Sequence, residues 1–153
     1  LAPMNAYLNI IGMETLGLRM ERVCNNAFRL AQALEKLEGV SVNYPLLESS
    51  PYHELAEKQL SGKGGAILTI RAGSKERAYK LINHLKYVKI ATNIGDVRTL
   101  VIHPASTIYI HSTPEAMEEA GVYDDTIRIS VGIEDIKDLI KDFTEAVESL
   151  GEE

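Results

Sequence analysis

The chain has 153 residues, of which 45% are hydrophobic and 25% charged, a composition typical of globular domains and not of disordered, collagen-like or disulfide-rich chains. Its net charge is −6, and it has neither a basic cluster nor a tryptophan, so we expect no nucleic-acid partner. No apolar run approaches the ~20 residues that span a bilayer, so we expect no membrane partner either.

Cysteine usage indicates a reducing compartment. The single cysteine, Cys24, cannot form an intramolecular disulfide. The first residues, Leu1 to Asn5, lack the basic segment of a secretory signal peptide. We therefore expect a cytoplasmic protein.

Residues 6–37 are predicted to be helical, because apolar side chains recur there at a spacing of three and four. Asn5 is the expected N-cap. Gly12 and Gly17 each cost up to ~1 kcal/mol inside a helix, so the segment is expected to kink or to divide into two helices. The part before Gly17 is apolar on nearly all sides, which predicts burial by a neighbouring domain or subunit.

Short strands and helices alternate in the rest of the chain. Strands are predicted at residues 40–44, 66–71, 88–92, 99–103 and 127–131, and helices at 52–60, after the caps Ser74 and Thr113, and at 135–150. This order indicates an α/β or α+β class, with a sheet covered by helices.

Most residue types used in catalysis do not form a recognisable motif. Residues 62–65 (GKGG) precede a strand, and no Ser or Thr follows the lysine, which favours a plain loop over a phosphate-binding loop. The four histidines lack metal-ligand spacing and are expected in loops or at the surface. Cys24 is expected to be a buried thiol. The acidic pairs at 124–125 and 134–135 are expected in solvated turns and at a helix N-terminus.

Two features do suggest a site. Residues 93–100 and 103–107 form turns whose backbone N–H groups, with the side-chain amide of Asn93, could hold a small anion. Arg128 stands between two isoleucines on a short apolar strand, so it must point out of the core or meet a carboxylate. Its planar guanidinium could grip a ligand carboxylate with two hydrogen bonds; the alternative is a salt bridge on an edge strand.

Four segments carry a family resemblance. Residues 93–107 (NIGDVRTLVIHPAST) and 128–135 (RISVGIED) resemble the two C-terminal signatures of the Cys/Met-metabolism family of pyridoxal-phosphate enzymes. Residues 14–21 (ETLGLRME) resemble a helix of that family, and residues 53–56 (HELA) a further marker. Their order and spacing match across essentially the whole chain. The variant at 93–107 is most similar to the O-acetylhomoserine sulfhydrylase branch.

The resemblance implies the small C-terminal domain of fold-type I transferases, a mostly antiparallel sheet covered by helices and preceded by a long helix. Residues 1–17 would be a remnant of the large cofactor domain, and residues 18–153 would form the small domain. None of the nine lysines stands in the Ser/Thr-rich setting of the family's Schiff-base lysine. The resemblance therefore implies pyridoxal phosphate in an intact parent enzyme, none bound by this chain alone, and an isolated chain without activity.

The resemblance also assigns two residues to substrate binding and none to catalysis or metal binding. Arg128 matches the family's arginine that binds the α-carboxylate of the amino-acid substrate. Asn93 would help to hold the same carboxylate through its backbone and its amide. Ile108 and Tyr109 stand where many members have Thr and His, which leaves the substrate itself open.

The implied parent is a methionine-biosynthesis enzyme that replaces the γ-acetoxy group of an O-acetylhomoserine-like amino acid by sulfide or a thiol. Its expected partners are the large pyridoxal-phosphate domain and further copies in a homo-oligomer. A cystathionine or methionine γ- or β-lyase is the alternative parent. A stand-alone self-associating or small-molecule-binding module is the alternative of a different class, because an apolar first helix would have to be covered by another copy.

Overall fold

Two helices open the chain and meet at Thr15. Helix α1 spans Pro3–Glu14 and helix α2 spans Leu16–Leu34, so the predicted division into two helices is confirmed. The expected cap at Asn5 is wrong, because α1 already begins at Pro3. The fixed φ and the missing N–H of a proline suit the first position of a helix, where that N–H would have no partner.

The structure, a computed structural model, describes residues 1–151. Beyond α2, strands alternate with helices as predicted, and each element is a few residues shorter or shifted at its ends. The strands are β1 (Ser41–Asn43), β2 (Ile67–Arg71), β3 (Lys89–Ile90), β4 (Leu100–Ile102) and β5 (Thr126–Ser130), and the helices are α3 (His53–Leu60), α4 (Lys75–His84), α5 (Pro114–Glu119) and α6 (Ile136–Glu148).

The five strands form one sheet in the order β1-β2-β5-β4-β3. All neighbours are antiparallel except β3 and β4, which are parallel, so the predicted mostly antiparallel sheet is confirmed. The strand that carries Arg128 is not an edge strand, which corrects one expectation. Strand β5 lies in the centre of the sheet, and Arg128 is flanked by Thr69 of β2 and Ile102 of β4.

The alternation of side chains along β5 decides which residues enter the core. Helices α2, α4 and α6 pack together over one face of the sheet. Ile127 and Ile129 point to that face and are fully buried. Since successive side chains of a strand point to opposite faces, Arg128 projects from the other face.

Helix α1 stays outside this core. It contacts α2, and none of its residues is buried. Its large apolar side chains are between 43% and 67% exposed: Met4, Tyr7, Leu8, Ile10, Ile11 and Met13. Across residues 1–151, no helix combines the length and the apolar character that crossing a membrane requires.

Candidate anion-binding site at Arg128

Strand β5 brings the two residues predicted to bind substrate together. The Arg128 Nη2 donates to the carbonyl oxygen of Thr92 at 2.6 Å and lies 3.5 Å from that of Asn93. These two residues begin the loop between β3 and β4. The side chain of Asn93 is exposed, so its amide is accessible beside the guanidinium.

The guanidinium of Arg128 is half-buried and incompletely paired. Its Nε is shielded from solvent and has no hydrogen-bond partner among residues 1–151. Burial lowers the pKa of Arg128 from its ordinary value, yet an arginine stays protonated under all ordinary conditions. Among the ion pairs of residues 1–151, none involves Arg128, so no carboxylate in this part of the chain neutralises its charge. A desolvated cation without a counter-ion is suited to bind an anion.

The backbone amides of the neighbouring loop are less available than the sequence predicted. The amide of Gly95 donates to Ser130 Oγ at 3.3 Å, and the amide of Arg98 donates to Asp96 Oδ1 at 2.9 Å. The amide of Thr99 donates to a carboxylate oxygen of Glu134. These three amides are therefore committed within the protein, which leaves the guanidinium of Arg128 as the principal candidate for anion binding in the region.

One histidine lies in a loop, as expected, but is buried there. His103 is 4% exposed, at the start of the 3₁₀ turn Pro104–Ser106. Its Nε2 lies 2.6 Å from the carbonyl oxygen of Asp124, and its Nδ1 lies 2.9 Å from Ser106 Oγ and accepts from the Ser106 amide at 3.2 Å. The neutral ring with the proton on Nε2 satisfies all of these contacts, so His103 ties this turn to the segment before β5.

The acidic pairs are also less solvated than expected. Asp125 is 7% exposed, pairs with Arg71 Nε at 2.8 Å and accepts from the Gly73 amide. Glu134 accepts from both the amide and the hydroxyl of Thr99. Sequence reasoning missed Thr99 and Glu134, although each lies inside one of the two signature segments. The expectation is confirmed for Asp124, which is exposed in a turn, and for Asp135, which caps α6.

The residues present do not fit a pyridoxal-phosphate site. A lysine that forms an imine must lose its proton, which burial favours because desolvation penalises the charged form. All nine lysines of the chain lie within the described residues, and all are exposed: Lys36, Lys58, Lys63, Lys75, Lys80, Lys86, Lys89, Lys137 and Lys141. The face around Arg128 can thus contribute an anion-binding group, while no lysine of residues 1–151 is buried in the way that imine formation favours.

No metal centre is evident either. Within residues 1–151, no group of three or more His, Cys, Asp or Glu side chains is arranged to hold a metal ion. The buried thiol predicted at Cys24 is confirmed.

Comparison with known proteins agrees with the resemblance of the signatures. The sequence profile of the family described as "Cys/Met metabolism PLP-dependent enzyme" matches residues 1–148. Homocysteine synthase of Schizosaccharomyces pombe is 47% identical over 148 residues, which cover 95% of this chain and 34% of the relative. O-acetyl-L-homoserine sulfhydrylase 1 of Thermus thermophilus is 43% identical, with coverage of 96% and 35%. The relatives also include L-methionine gamma-lyases, one of them 40% identical.

A solved structure shares the fold. The crystal structure of a protein from Campylobacter jejuni, described as an O-acetylhomoserine (thiol)-lyase, superposes with a TM-score of 0.92 at 37% identity. The match covers 97% of this chain and 36% of that one, which contains a pyridoxyl-lysine monophosphate. The chain thus spans about a third of the length of the relatives that it matches. With its profile match, its sequence identity and its fold in agreement, the chain belongs to the Cys/Met metabolism family of pyridoxal-phosphate-dependent enzymes.

Proposed function

We propose that this chain is the substrate-carboxylate-binding domain of an O-acetylhomoserine sulfhydrylase-like enzyme, with Arg128 as the anchor. The observation that carries the proposal is the state of the guanidinium. It is half-buried and held by carbonyl oxygens, and it pairs with no carboxylate of residues 1–151. The carboxylate of an amino acid would supply both the negative charge and the acceptor oxygens that this group lacks.

Asn93 completes the proposed clamp. Its carbonyl oxygen faces Arg128 Nη2, and its exposed side-chain amide can donate a hydrogen bond to a carboxylate beside the guanidinium. Two donors of different geometry restrict the orientation of a carboxylate better than one flexible cation. This domain therefore binds the substrate and orients it.

The remaining parts of the enzyme are proposed to lie in a large domain. We assign residues 1–17 to the edge of that domain and residues 18–153 to the small domain, in keeping with the exposed apolar side chains of α1. The large domain holds pyridoxal phosphate, which supplies the carbon–sulfur chemistry in this family. The enzyme replaces the γ-acetoxy group of an O-acetylhomoserine-like substrate by sulfide or a thiol. It works in the cytoplasm as a homo-oligomer.

A second parent activity is supported by a specific observation. L-methionine gamma-lyases are among the relatives and match nearly the whole chain. Elimination and replacement both need a bound α-carboxylate, so the geometry at Arg128 serves either. A full-length enzyme separates the two, because γ-replacement consumes sulfide with the substrate and γ-elimination proceeds without it.

The absence of a cofactor site is tested on the 153-residue chain. Pyridoxal phosphate is added, the visible absorbance of the protein is recorded, and the mixture is reduced with borohydride before intact-mass measurement. We expect no protein-bound absorbance band and no stoichiometric adduct. An adduct on one specific lysine would show that the chain carries its own cofactor site and would overturn this part of the proposal.

The role of Arg128 is tested in a hybrid enzyme, in which this chain replaces the matching part of the Thermus thermophilus sulfhydrylase. Arg128→Gln removes both the positive charge and the planar guanidinium that can form two hydrogen bonds. We expect KM for O-acetyl-L-homoserine to rise between about 10-fold and 100-fold, as loss of a charged hydrogen bond predicts. Arg128→Lys keeps the charge and should fall between Gln and the unmodified hybrid. Arg29→Gln, an exposed change on α2, is the control. An unchanged KM in Arg128→Gln would contradict the proposal.

A further inference from the structure

A carboxylate that the proposed clamp does not use holds the far end of its loop. Glu134 Oε1 accepts from the amide of Thr99 at 2.5 Å, and Glu134 Oε2 accepts from the Thr99 hydroxyl at 2.9 Å. The same hydroxyl accepts from the amide of Gly132 at 3.0 Å. Thr99 is fully buried. Two donors of one residue are therefore satisfied by one carboxylate, which no neutral side chain of the same shape can do.

The segment that carries Glu134 is itself anchored to helix α2. The side-chain amide of Asn26, which is 2% exposed, donates to the carbonyl oxygens of Gly132 and Glu134 at 3.0 and 2.9 Å. Arg22 Nη2 lies 3.3 Å from the Glu134 carbonyl oxygen. The backbone around Glu134 is thus fastened to the helical layer of the fold by side chains of α2.

No space separates this segment from the loop. The amide of Ile133 donates to the carbonyl oxygen of Val97 at 2.9 Å. A Cβ on Gly132 would collide with that carbonyl oxygen and would lie 2.6 Å from the carbonyl carbon of Arg98. Position 132, two residues before Glu134, therefore has to be glycine for the two segments to approach.

The loop contacts Arg128 at its start and is held by other residues at its middle and its end. At the start of the loop, the carbonyl oxygens of Thr92 and Asn93 face the guanidinium. In its middle, the Gly95 amide donates to Ser130 Oγ, on the same strand face as Arg128. At its end, Thr99 is held by Glu134. A loop fixed at its end and its middle presents the two carbonyl oxygens in one place.

We propose that Glu134 is a positioning residue for substrate binding. It fixes the loop at Thr99, so that the carbonyl oxygens of Thr92 and Asn93 orient the Arg128 guanidinium towards the substrate carboxylate. The inference rests on the proposed function of Arg128. Glu134 itself does not touch the substrate and acts through the loop.

The test uses the hybrid enzyme with Glu134→Gln. An amide offers one acceptor oxygen where the carboxylate offers two, so either the amide or the hydroxyl of Thr99 loses its acceptor. We expect KM for O-acetyl-L-homoserine to rise about tenfold, with kcat changed by less than about twofold. Glu118→Gln, the same chemical change at an exposed position of α5, should leave both constants unchanged.

A second pair of variants covers the case in which Glu134→Gln fails to fold. Thr99→Ser keeps the hydroxyl and should behave like the unmodified hybrid. Thr99→Val replaces the hydroxyl by a methyl group in a side chain of equal size and should raise KM about tenfold. Hydrogen exchange of the peptide that spans residues 92–100 should become faster in Glu134→Gln and Thr99→Val only.

Inhibition by the carboxamide analogue of O-acetyl-L-homoserine separates positioning from a general loss of structure. That analogue lacks the carboxylate, so its inhibition constant should not change in Glu134→Gln. Equal weakening of substrate and analogue would show a merely structural role and overturn the inference. An unchanged KM in Glu134→Gln and Thr99→Val, with a raised KM in Arg128→Gln, would overturn it as well while leaving the proposed function intact. An unchanged KM in Arg128→Gln would instead contradict the proposed function itself.

Discussion

Arg128 is held by the backbone of Thr92, with Nη2 2.6 Å from the carbonyl oxygen, and not by a carboxylate. A backbone dipole orients a guanidinium without neutralising its charge. The positive charge of Arg128 therefore remains available to a ligand, although burial of the group lowers its pKa. This is the arrangement expected of an arginine that binds an external anion.

Among the glycines, Gly132 leaves the least room for a side chain. In Gly132→Ala, the new Cβ would collide with the Val97 carbonyl oxygen, and we expect a loss of about 1–3 kcal/mol in the free energy of unfolding, as overpacking typically costs. Gly12→Ala is the matched control, since a Cβ there meets nothing within 4 Å and alanine favours a helix. Urea unfolding measures both. A Gly132→Ala variant as stable as the parent chain would contradict the described contact.

Tyr44 makes the stability of the chain sensitive to alkaline pH. Burial raises the pKa of its phenol above the ordinary value of 10.0, with a smaller contribution from Cys24. Below pH 10 the phenol is neutral in both states and its contribution is fully present. Above pH 10 the unfolded chain ionises first, so the free energy of unfolding should fall by about 1.4 kcal/mol per pH unit until the folded phenol ionises as well.

The check on Tyr44 is urea unfolding at pH 9 and pH 11. Tyr44→Phe loses the hydrogen bond to the Gly65 carbonyl oxygen but has no phenol to ionise. We expect the parent chain to lose about 1.4 kcal/mol more than Tyr44→Phe between the two pH values. Equal losses in both proteins would show that other groups cause the alkaline effect.

Asp142 is a buried carboxylate with a structural role. It is 2% exposed, on α6, and accepts from the amides of Lys86 and Tyr87 at 3.0 and 3.1 Å. Asp142→Ala leaves both amides without this acceptor and should cost about 3 kcal/mol of stability. Glu148→Ala, at an exposed position of the same helix, should change stability by less than about 0.5 kcal/mol. Thermal and urea unfolding of the two variants decide the matter, and similar losses in both would refute a specific role for Asp142.

The exposed side chains of α1 should make the isolated chain self-associate. Leu8 is 58% exposed within a helix whose large apolar residues are all exposed, and water disfavours such a surface. We expect light scattering to show dimers or larger species at micromolar concentration. Leu8→Lys should shift the population towards monomer, and Ile90→Lys, at a residue 66% exposed on β3, should not. A monodisperse monomer of the parent chain would count against this surface as a contact site.

Local patterns of the chain were sufficient to predict the helices and strands. The spacing of apolar residues repeats with the period of each element, and caps such as Ser74 and Thr113 accept from the backbone amide three residues later, as expected. The signature segments identified the candidate residues Arg128 and Asn93. Helix α1 shows the limit of this reasoning, because its cap is Ala2 and not Asn5, although its break at Thr15 does lie between Gly12 and Gly17.

The sequence by itself thus determined the order of the elements, the apolar character of α1 and the identity of the candidate clamp. The tertiary structure decided that β5 is a central strand, that Asp125 and His103 are buried, and that Glu134 binds Thr99. These facts depend on contacts between residues far apart in the chain, such as the 35 residues that separate Glu134 from Thr99. Periodicity reports only which neighbours along the chain share a face, whereas strand pairing and loop packing are set by the burial of the whole core.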